Sequence, residues 1–117
     1  MSMNREFDLA RLTELEALLG RHVSDIVATL VAEFAAALDR ITSALDGGHL
    51  REAALAAHEA RNSALMIDAQ PMLGSLAELE AAARRNDGDA ALDAHRRLGE
   101  LWPGLRRGLE LAGAAPG

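Results

Sequence analysis

The sequence predicts an all-α domain: an antiparallel four-helix bundle with a short additional N-terminal helix. Three observations carry that expectation. Half of the residues are apolar, but they are mostly Ala and Leu, with Phe7, Phe34 and Trp102 the only aromatic residues. Ala and Leu are strong helix formers, and the β-branched and aromatic strand formers are scarce. Apolar residues recur at three- and four-residue steps over five stretches, the mark of amphipathic helices. Short breaks rich in Gly, Asn and Asp separate those stretches, and short connections make successive helices antiparallel neighbours.

The first helix is expected over residues 7–19, with Asp8 as N-cap, Gly20 as its stop and Leu9, Leu12, Leu15 and Leu19 as its apolar stripe. The second spans 25–45, from Ser24 as N-cap to Gly47-Gly48, with Val27, Leu30, Val31, Phe34, Leu38, Ile41 and Leu45 facing inward. The third covers 50–67, and its core line of Leu50, Ala53 or Ala54, Ala57, Ala60, Ala64 and Ile67 is small except at its ends. The fourth begins near Pro71, a residue favoured in a first helical turn, and ends near Arg85, striped by Leu73, Leu76, Leu79 and Ala83. Asn86-Asp87-Gly88-Asp89 reads as a turn with a built-in N-cap. The fifth starts near Ala90 and buries Leu92, His95, Leu98, Trp102, Leu105 and Leu109, with a kink or break expected at Leu101–Pro103 because proline lacks an amide donor. Residues 1–112 form one domain in this reading, and 113–117 a flexible tail.

Composition narrows the function. A net charge of −6 argues against nucleic acid as a partner, since phosphate backbones select basic surfaces. The absence of cysteine excludes disulfides, thiolate metal sites and thiol catalysis. The opening Met1-Ser2-Met3-Asn4-Arg5-Glu6 lacks the basic and apolar regions of a signal peptide, and charges recur too often for a membrane span. The expectation is a cytoplasmic protein that neither enters nor binds a membrane. All twelve basic residues are Arg, so any role usual for Lys falls to a planar, forked cation. No histidine has Glu three residues before it, which disfavours a carboxylate-bridged metal bundle. There is also no Gly-rich phosphate loop.

One residue has a chemical setting. His58 lies mid-helix with Arg61 and Asn62 one turn onward, and a neutral imidazole beside a cation suits transient carriage of a phosphoryl group. At about 100° per residue, it falls next to the core line on a row with Arg51, Leu55, Asn62 and Leu65. That places a reachable ring between two leucines at the edge of the buried face, a surround suited to docking another protein. His22 and His49 read as solvated turn residues, and His95 as a packed, hydrogen-bonded core or boundary residue.

The order and spacing of these residues resemble the histidine-containing phosphotransfer (HPt) domain of bacterial multistep phosphorelays. The family signature, His-x-hydrophobic-Lys-Gly, aligns with His58-Glu59-Ala60-Arg61-Asn62, and Ser63 and Ala64 match the small residues that follow. Phe7-Asp8, Phe34, Gly47-Gly48, Leu79-Glu80 and Arg85 to Asp89 fall where the family has similar residues. The resemblance implies that His58 is a phosphoacceptor shuttling phosphate between aspartates of response-regulator receiver domains, with a hybrid histidine kinase upstream. Arg61 would support the phosphate charge, and Arg51, Leu55, Asn62 and Leu65 would contact the partner. It further implies a monomer with no cofactor of its own, the Mg²⁺ residing on the receiver.

Three positions depart from the family pattern. Asn62 stands where the family has Gly, Asp68 where it has a later Gly or small residue, and Ala60 is smaller than the usual Leu. Slower or narrower transfer is expected from Asn62, and Glu59 and Asp68 are expected to affect which receiver docks. A relative that keeps the fold but acts as an adaptor or inhibitor, docking without accepting phosphate, is the alternative.

Overall fold

In the computed structural model, which describes residues 6–114, the chain forms five α-helices. They are α1 (Leu9–Leu19), α2 (Val23–Asp46), α3 (Leu50–Met66), α4 (Gln70–Arg84) and α5 (Gly88–Ala114), and no strand occurs among the described residues. α3 packs between α2 and α4, and α5 closes the ring by packing on both α4 and α2; α1 lies against α2. The all-helical bundle expected from the apolar stripes is therefore the observed architecture. No helix among the described residues is long and apolar enough to cross a membrane.

Three of the connections share one device. At the ends of α2, α3 and α4, Gly48 (φ 73°), Asp68 (φ 52°) and Asn86 (φ 62°) adopt left-handed backbone conformations. Two successive amides then bond back into each last turn: Gly48 to Leu45 and His49 to Ala44, Asp68 to Leu65 and Ala69 to Ala64, Asn86 to Ala83 and Asp87 to Ala82. This pairing satisfies carbonyls that a helix end would otherwise leave open, and it reverses the chain within three residues. Asp87 then accepts a hydrogen bond from the Ala90 amide and starts α5 at Gly88, two residues before the expected start. Asp8 caps α1 as expected, and its own amide donates to the Ile67 carbonyl at 2.7 Å, tying the entry of α1 to the end of α3.

Four expectations are corrected. α2 begins at Val23 with His22 at the cap position, so Ser24 lies inside the first turn. The Glu16 carboxylate of α1 accepts the Val23 amide at 3.2 Å, supplying the oxygen expected of Ser24. Of the kink or break expected at Leu101–Pro103, the break does not occur: α5 runs unbroken through Pro103. Pro103 and the residue four before it, Gly99, are both exposed, so water can solvate the carbonyl that loses its donor. The helix also continues through Gly113 and Ala114, which were expected in a tail; a Cβ on Gly113 would meet Val27 at 3.1 Å, so this turn is packed on α2. Residues 115–117 and 1–5 lie outside the described residues.

The fourth correction concerns burial. Of the α1 stripe only Leu12 is fully buried, and Leu9 and Leu19 are exposed, since α1 packs chiefly against the one helix α2. In α5, Leu92 is exposed, and Ala91 and Ala94 take its place where the tight α4–α5 connection brings the two backbones close. The α2 stripe holds at Val27, Leu30, Phe34 and Ile41, while Val31, Leu38 and Leu45 sit at its edge and Ile26, Ala37 and Ala44 complete the face. Phe34 is fully buried, with its ring centroid 5.6 Å from that of Trp102.

Candidate functional site

The inward face of α3 is made of alanine. Ala53, Ala57, Ala60 and Ala64 are each at most 2% exposed, and such short side chains let the backbones of neighbouring helices approach closely. Close approach brings a side chain of α4 across the groove to the rim of α3. That side chain is Glu80, which occupies a core register beside Leu76, Leu79 and Ala83 and is 6% exposed.

Glu80 is the hub of the site. Its Oε2 lies 3.2 Å from His58 Nδ1 and accepts from Arg84 Nε at 2.9 Å. Its Oε1 accepts from Arg61 Nη1 at 2.6 Å. His58 and Arg61, the two residues assigned chemical roles from sequence, are thus held by one carboxylate. The sequence alone assigns no role to Glu80 or to Arg84. A signal for both was present, since a carboxylate in an apolar stripe needs a cation, and Arg84 stands one turn onward.

Electrostatics fix how the ring is held. Burial pushes the Glu80 pKa up, but hydrogen bonds from Arg61 and Arg84, with the electrostatic attraction of the neighbouring His58 ring and Arg61, outweigh it and hold the carboxyl below its usual range. Glu80 is therefore ionised near neutrality and can only accept. The His58 nitrogen facing it must donate, so the neutral ring carries its proton on Nδ1 and its lone pair on Nε2. More than half of the His58 side chain, 54%, is exposed, leaving the ring reachable. Arg61 is not a free cation: it is committed to Glu80, although its Nε is buried and makes no hydrogen bond among the described residues.

Around this cluster the expected contact row is open to solvent. Arg51 and Asn62 are exposed, and Leu55 and Leu65 are each more than half exposed, with Met66 beside them. Of the two acidic residues expected to affect docking, Glu59 is turned to the α2 side, 3.2 Å from Arg40. Asp68 sits in the α3–α4 turn and accepts from the Gln70 side chain. The other histidines hold no comparable cluster. His22 and His49 are exposed beside helix starts, and His95 is half-buried with its Nε2 2.9 Å from Thr42 Oγ1.

Comparison with known proteins adds no assignment: no family model matches the chain, and neither the curated proteins nor the solved structures contain a significant match.

Proposed function

We propose that this chain is an HPt-type histidine phosphotransfer protein, relaying a phosphoryl group between receiver-domain aspartates through His58. The observation that carries the reading is an exposed imidazole whose Nδ1 is held by a buried, ionised Glu80. In the proposed step the Nε2 lone pair attacks the phosphorus of a receiver's aspartyl phosphate. An N–P bond forms, the P–O bond to the acyl oxygen breaks, and its electron pair leaves on the aspartate carboxylate. The ring, still protonated on Nδ1, gains positive charge as this occurs, and Glu80 stabilises that charge where it develops. Reversal onto another aspartate returns the neutral ring. Positioning and charge neutralisation dominate phosphoryl transfer, so a nucleophile, a counter-charge and a docking face are what this partner must supply. Arg84, 58% exposed and bonded to the same carboxylate oxygen as the ring, stands beside Arg61 as a second cation for the phosphoryl oxygens.

The adaptor reading draws support from a separate observation: Arg61 is neutralised by Glu80, and Asn62 occupies the exposed surface one turn beyond the ring. One experiment separates the two. Receiver domains charged with radiolabelled acetyl phosphate are mixed with the protein. The phosphotransfer reading expects acid-labile, base-stable label that His58→Gln abolishes. Binding of receivers without label on His58 would establish the adaptor instead.

A further inference from the structure

The two flanks of α3 carry different charge. On the α2 side an open groove is lined by Asp39, Glu52 and Glu59, with Arg40 already paired to Glu59. On the α4 side lies a groove of about 400 Å³ with an apolar floor of Leu50, Ala54, Leu55 and Ala83, bordered by Arg51 and Arg84 and by no acidic residue. Arg51 is exposed and makes no ion pair among the described residues. Arg84 uses Nε and Nη2 on Glu80, which leaves Nη1 as a donor. In a chain of net charge −6, this is a local basic site with an apolar base. It adjoins His58 directly, because Leu55 is one turn before His58 and Arg84 shares a carboxylate oxygen with the ring. The opposite end of the same exposed row is apolar, carrying Leu65 and Met66.

We propose that the α3–α4 groove receives an acidic segment of the phosphoryl-exchanging partner, with apolar side chains on its floor and a carboxylate on Arg51. The groove thereby selects the partner and sets its orientation over His58. The inference rests on the phosphotransfer reading and adds the chemistry of the partner's contacting segment. Complementary charge acts mainly on encounter rate and on rejection of wrong partners, so its signature is discrimination between partners that falls with salt.

The test uses two sets of receiver domains charged with acetyl phosphate, one with acidic and one with basic residues flanking the phosphoacceptor aspartate. The native protein is expected to accept phosphate from the acid-flanked set about tenfold faster at low salt. Arg51→Glu is expected to reverse that order, and Arg51→Lys to keep it. An unchanged ratio in Arg51→Glu, or no transfer from the acid-flanked set to a protein that phosphoramidate does label on His58, overturns the docking proposal alone. Failure of phosphoramidate and of both receiver sets to label His58 overturns the phosphotransfer reading, and this proposal with it.

Discussion

Glu80 and His58 meet across the α3–α4 interface at 3.2 Å, carboxylate to Nδ1, with the acid buried and the imidazole half in solvent. The pair couples fold to chemistry, since the alanine face of α3 permits the approach and the approach fixes the ring. Replacing Glu80 with Gln preserves shape and one acceptor but removes the negative charge. Phosphotransfer to His58 is expected to slow, and stability to fall by about 1–3 kcal/mol as Arg61 and Arg84 lose a charged partner. Urea unfolding with labelling kinetics checks both; a variant matching the native protein in each would show that the pair is incidental.

Acid should weaken the protein through the same residue. Glu80 has a folded-state pKa below its usual 4.5, so its contribution is complete above that value and is lost as pH falls through the folded one. Asp93, held low by Arg96 and Arg97, adds in the same direction. Melting temperature is expected to drop on acidification below about pH 4.5, and less steeply in Glu80→Gln. Parallel curves for the two proteins would contradict the assignment.

Asn62→Gly tests the departure beside the ring. Removing an exposed side chain one turn beyond His58 is expected to raise the transfer rate while costing up to about 1 kcal/mol of helix propensity. A rate that stays level or falls would show that Asn62 does not obstruct the partner.

Phe34→Ala is expected to destabilise by about 3–5 kcal/mol, because the ring is fully buried and packs on Trp102. Trp102 fluorescence followed through urea unfolding measures the loss, and a change below 1 kcal/mol, outside the range for buried aromatics, would contradict this account of the core.

The sequence made the bundle legible because its signals are local. Stripes, glycine stops and the Asp8 cap each depend on a few neighbouring residues, and α1 to α5 follow from them. What escaped depends on contacts distant in the chain. Ser24 lost its role to Glu16 of another helix, and Pro103 was tolerated because its surroundings are solvent. Leu92 lost its buried place to alanines set by a tight connection. At the site, His58 and Arg61 were visible as one helix face, but their shared partner lies 22 and 19 residues onward on α4. Only the packing of α3 on α4 brings the three together.

Phosphoryl occupancy of a single ring nitrogen tests the central claim most directly. The protein, labelled with ¹⁵N-histidine and treated with phosphoramidate, is read by NMR for the position of the N–P bond. The account predicts one phosphohistidine, at Nε2 of His58, with Nδ1 still protonated against Glu80. Phosphate on Nδ1, on His22, His49 or His95 in place of His58, or on no histidine would contradict it.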